Sequence, residues 1–73
     1  MTEPETEGRG PILDEAVREL QAAAHDAQVA FDCIALGELD RAHTTAITAR
    51  AATDAAVTAL QAALDEASGA VGP

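Results

Sequence analysis

The side chains that could do chemistry in this chain are few. Asp40-x-x-His43 sets a carboxylate and an imidazole three residues apart, a spacing that puts both on one side of a helix. Helical bundles hold metal ions with such a pair when carboxylates from neighbouring helices join it. Asp32 is the candidate for that role if the chain folds back on itself. The pattern occurs once, and its acids are Asp, which reaches less far than Glu. The favoured reading is therefore a solvated His43 paired loosely with Asp32 or Asp40, and no metal or other cofactor is expected.

His25, next to Asp26, has no nucleophile or oxyanion donor nearby in the sequence, so it is read as facing water. Cys33 stands among apolar neighbours, where a thiol is usually inert packing rather than a low-pKa nucleophile. As the only cysteine it forms no disulfide within the chain. Arg50 interrupts a run of small residues and is read as lying with its stem along the apolar surface and its head in water. No catalytic constellation emerges, and the expectation is a protein that is not an enzyme.

Seventy-three residues allow one small domain. A chain this short buries only about 60% of the surface it exposes when unfolded, so association is a common source of further stability. The composition is 48% apolar, yet it includes one Phe and no Trp or Tyr; alanine supplies much of the rest. Thirteen acidic residues against four arginines and no lysine give a formal charge of −9. That balance argues against nucleic acid and anionic membranes, since phosphate binding draws on Lys and Arg. No run approaches the roughly 18 apolar residues of a membrane span, and the acidic N-terminus does not read as a signal peptide. A cytoplasmic location is expected. Abundant alanine and arginine without lysine suggest a GC-rich bacterial source.

Residues 1–10 are polar, with Pro and Gly among three glutamates, and read as a disordered acidic tail. Helix 1 is expected over about 11–36, opening at Pro11 and closing at Gly37. Its apolar residues Leu13, Val17, Leu20, Ala24, Ala27, Phe31 and Ile34 follow an unbroken 4-3 spacing and predict a coiled-coil seam. A turn at about 37–39 is short enough to permit an antiparallel neighbour, and the rival reading is one continuous bent helix, since glycine inside a helix costs only about 1 kcal/mol. Helix 2 follows over about 39–68, with Asp40 as candidate N-cap and residues 69–73 as a frayed tail. Its expected seam runs through Leu39, Ala42, Ala46, Ala49, Thr53, Ala56, Leu60, Ala63 and Ala67. A second row, Ile47, Val57 and Leu64, lies beside it, giving more apolar width than one neighbour can cover.

Residues 14–27 and 54–67 align with eight identities in fourteen positions, matching Val17, Leu20 and Ala24 with Val57, Leu60 and Leu64. At the turn end Val29, Phe31, Cys33, Ile34, Leu36 and Leu39 crowd apolar groups around more than one side of the helix. With Ile47, Val57 and Leu64 they form the candidate interaction surface.

The fold class expected is all-α, an antiparallel two-helix hairpin completing a four-helix bundle by dimerisation. In architecture this resembles small dimeric four-helix-bundle proteins and the helical hairpins exported by type VII secretion systems, although Ala35-Leu36-Gly37 stands where those hairpins carry Trp-x-Gly. The function expected is a helical protein–protein interaction module, self-associating or the small acidic partner of a larger helical protein. The alternatives are an acidic inhibitor of antitoxin or nucleic-acid-mimic type that binds a basic surface, and a small metal-binding bundle.

Overall fold

The computed structural model describes residues 4–71, with side chains described for 10–69. Two helices account for nearly all of it, α1 (Pro4–Ala35) and α2 (Leu39–Val71), and no strand occurs among the described residues. They pack side by side as an antiparallel hairpin, a layer one helix thick and 11 Å deep in its shortest dimension.

The ends of the helices follow from local chemistry. Gly10, at φ 80° and ψ 170°, breaks α1 into a short leading piece and the long run that packs on α2. Pro11 opens that run, at a position where its missing N–H costs nothing. The stretch read from sequence as a tail is thus helical from Pro4 onward, while residues 1–3 lie outside the described region. At the other end Gly37, at φ 79°, makes a Schellman closure. The Glu38 N–H donates to the Cys33 carbonyl at 2.8 Å and the Gly37 N–H to the Ile34 carbonyl at 3.0 Å.

The N-cap of α2 is Glu38 rather than Asp40. The Ala42 N–H donates to the Glu38 carbonyl at 2.9 Å, which makes that carbonyl the first acceptor of the helix. Asp40 lies in the first turn instead, where its charge suits the helix dipole. α2 continues through Gly69 to Val71, beyond the expected stop at 68. A glycine so near a terminus interrupts few intrahelical bonds, and its cost of about 1 kcal/mol is tolerable there.

The buried seam is displaced by one residue from the row that size and spacing favoured. In α1 the buried residues are Ala16, Ala23, Ala30 and Cys33, with Ile12, Glu19 and Asp26 half-buried in the same 4-3 row. In α2 they are Ala42, Ala56 and Ala59, joined by half-buried Thr45, Ala49, Ala52 and Ala63. Ala42, Ala49, Ala56 and Ala63 belong to the expected row; Thr45, Ala52 and Ala59 replace Ala46, Thr53 and Leu60. Counted outward from the turn, the two buried rows match 33 with 42, 30 with 45, 23 with 52, 16 with 59 and 12 with 63.

The physical reason is the size of the contact. Interaxial distance follows the side chains between the helices, and alanine lets two backbones come close along the whole length, whereas a row of Leu and Phe holds them apart. Each sequence carries two adjacent 4-3 rows about 100° apart, one small and one large. Glu19 and Asp26, sitting in the small row of α1, disguised it as a polar face.

Candidate functional site

The large side chains displaced from the seam share a single surface. Successive residues turn about 100° around a helix, and in an antiparallel pair a one-residue step beyond the seam swings both helices toward the same broad side of the layer. Leu13, Val17, Leu20, Ala24, Ala27, Phe31 and Ile34 from α1 therefore lie on one side with Leu39, Ala46, Thr53, Val57, Leu60 and Leu64 from α2. Phe31 is 67% exposed, Ile34 59%, Val57 58% and Leu64 63%; Leu20, Leu39 and Leu60 are also exposed. Only Leu13 and Val17 are half-buried. The two segments that align in sequence contribute their matching Val and Leu residues to this face rather than to the seam.

Among the described residues the acidic charge is elsewhere. No carboxylate falls in either apolar row, whose polar members are Thr53, His43 and Arg50 on α2, all exposed. The opposite side carries Glu15, Arg18, His25 and Asp32 from α1 and Arg41, Thr44, Thr48 and Thr58 from α2. Polar groups satisfy one another locally. Arg18 pairs with Glu15 at 2.5 Å and Arg41 with Glu38 at 3.2 Å, while the Gln28 and Gln61 amides donate to Asp32 and Asp65 at 2.9 and 3.0 Å. The Thr48, Thr53 and Thr58 hydroxyls donate to the carbonyls four residues before them, those of Thr44, Ala49 and Asp54.

The candidate metal residues are not brought together. Asp32 lies on the polar side and bonds to Gln28, Asp40 points outward from α2, and His43 sits on the apolar side. Among the described residues no group of three or more His, Cys, Asp or Glu could hold a metal ion. His25 Nδ1 lies 3.4 Å from Asp26 Oδ1 on an exposed surface. Arg50 stands level with these two along the hairpin but on the other broad side.

The other surface candidates divide. Phe31, Ile34, Leu39, Val57 and Leu64 lie on the apolar face. Leu36 projects from the turn, Val29 is half-buried at the polar edge, and Ile47 points away from α1 on the outer edge. Cys33 is 4% exposed within the seam, so its thiol packs inside the hairpin. Leu13, Val17, Leu20 and Leu60 are the large face residues that sequence reasoning assigned to the seam alone, and their large size in an unbroken row was the signal that could have found them.

A shallow groove of about 610 Å³ crosses the hairpin near its open end, lined by Pro11, Ile12, Glu15, Ala55, Thr58, Ala59 and Ala62. Its one carboxyl group, Glu15, is held below the usual carboxylate range by a hydrogen bond from Glu19 and by Arg18. The same hydrogen bond, with partial desolvation, pushes Glu19 up.

Among the described residues no helix is long and apolar enough to cross a membrane. Set against family models, curated proteins and solved structures, the chain matches none of them.

Proposed function

We propose that this protein is a non-enzymatic helical interaction module whose working surface is the apolar face built jointly by α1 and α2. The observation that carries the reading is the exposure of Phe31, Ile34, Val57 and Leu64 on one side of the layer, in two parallel rows free of carboxylates. Contiguous exposed apolar patches of this extent mark contact sites. Two helices with a wide shared apolar side are half of a four-helix bundle, and the missing half is a second hairpin or a helical surface of similar shape.

The acidic-inhibitor reading would place the negative charge at the contact. Among the described residues no acid falls in the two apolar rows, and several acids are engaged with neighbours on their own helix, as on solvated faces. A metal-binding bundle has no assembled ligand set to support it.

Sedimentation velocity on the purified protein tests the reading. Association is expected at micromolar concentration, and Phe31→Glu/Leu60→Glu is expected to sediment as one chain while keeping its helical circular dichroism. A wild-type protein that stays a stably folded single chain up to ~100 μM, a range spanning Kd values worth roughly 5.5 to 8 kcal/mol, would remove it.

A further inference from the structure

We propose, resting on the interaction-module reading, that the apolar face is closed by a second copy of this chain, related by a two-fold axis parallel to the helices. Each α1 then lies on α2 of the other copy, and both turns stand at the same end of the bundle.

Area comes first. Residues 11–35 span about 37 Å and two helices about 20 Å, so the face measures roughly 740 Å². A standard specific interface needs about 800 Å² per partner. One further hairpin, of the same length and width as this one, therefore covers the face, with Ile47 and Leu36 outside it.

The two rows also fit each other. An axis parallel to the helices leaves every height along them unchanged, so the seam's own register fixes how the copies meet and no sliding is possible. In that register each row residue of α2 from His43 to Leu60 falls level with the gap between two successive row residues of α1 of the second copy, as knobs-into-holes packing requires. Val57 comes between Val17 and Leu20, and Leu60 between Leu13 and Val17. The row of α1 is large at both ends and small in the middle, at Ala24 and Ala27. Arg50, the longest side chain in the α2 row, lands over those two alanines. Phe31, the largest in α1, lies between His43 and Ala46.

The competing two-fold, perpendicular to the helices, stacks α1 on α1 and α2 on α2 with the turns at opposite ends. Full overlap of the rows then brings the two Arg50 side chains together near the centre, where like charges repel at close range in a partly desolvated setting. It also sets Ala24 against Ala24 with nothing large to fill the space. All neighbouring helices are antiparallel in both arrangements, so helix dipoles do not choose between them; steric fit and Arg50 do.

The experiment measures the separation of the turns. A nitroxide at Glu38→Cys in a Cys33→Ala background is expected to give an interchain distance of about 20 Å, two neighbouring helix axes of about 10 Å plus the label arms. The turns-apart dimer gives about 40 Å, the length of the overlapping rows. A second measurement keeps Cys33 in place: Ala24→Cys under mild oxidation is expected to form no interchain disulfide. A dimer with the long separation, or one in which the Ala24→Cys variant cross-links readily, overturns this arrangement and leaves the interaction-module reading standing. A single-chain protein overturns both.

Discussion

Gly37 and Glu19 are the residues on which single substitutions read most directly. Gly37 holds φ 79° with nothing within 4 Å of where a Cβ would stand, so a side chain meets backbone strain and no steric obstacle. Gly37→Ala is expected to lower the stability of the hairpin by about 1–2 kcal/mol, read as a lower midpoint in urea with an unchanged slope. Glu19 has its carboxyl pKa raised by the hydrogen bond to Glu15 and by desolvation. The contribution of its protonated form is complete below the usual carboxylate pKa and is lost as pH rises through the elevated value. Glu15, whose pKa is lowered, acts in the opposite sense, its contribution lost as pH falls through the depressed value. Glu19→Gln supplies a neutral donor to Glu15 at every pH. The variant should therefore melt higher than the parent at pH 7, with the difference shrinking as pH falls below about 4, the ordinary carboxylate range. An equal gain at both ends would show that the hydrogen bond between Glu15 and Glu19 has no part in it.

At the scale of the helix, the seam rather than the turn separates what the sequence discloses from what it conceals. Two helices, an antiparallel return at Gly37 and an opening at Pro11 are legible in capping chemistry and in the short link, although one continuous bent helix through Gly37 fitted the same residues. The rotation of each helix about its own axis does not follow. Periodicity finds a 4-3 row, but α1 has two of them, and ranking them by size selects Leu13 to Ile34 over Ile12 to Cys33. Packing against one neighbour ranks them the other way, because the alanine row admits the closer approach. For the candidate site this means that Phe31, Ile34, Val57 and Leu64 were legible as surface candidates, whereas Leu20 and Leu60 were hidden in the expected seam. The Asp32, Asp40 and His43 spacing was legible too, but a small error in rotation scatters its members over three sides. A paired substitution checks the assignment. Ala56 is 1% exposed, so Ala56→Leu should overpack the seam and cost about 1–3 kcal/mol. Ala46→Leu, one row away, should leave thermal stability unchanged or raise it. Equal effects at the two positions would contradict the displaced seam.

For the molecule as a whole, apolar contact and net charge pull in opposite directions. Two copies of a chain of charge −9 repel, and salt screens that repulsion with a Debye length of about 10 Å at 0.1 M. Apolar burial does not weaken with salt. Association through the face described above should therefore tighten as ionic strength rises from about 20 to about 200 mM, measured as a falling dissociation constant by sedimentation equilibrium. Binding of this acidic chain to a basic surface would loosen over the same range. One titration thus separates the apolar-contact reading from the charge-decoy reading in sign.

The buried thiol near the bend gives the molecule a clock of its own. A maleimide or aromatic disulfide reagent cannot meet Cys33 while the helices stay zipped, since only 4% of that residue is reached by solvent, and so it modifies the protein during transient opening events alone. When reclosing outpaces modification, the labelling rate divided by that of the denatured chain equals the fraction of time spent open. Any ligand or copy that clamps the pair shut must slow that reaction by the same factor, so the grip of a binding partner is readable from a native sulfur with no probe introduced.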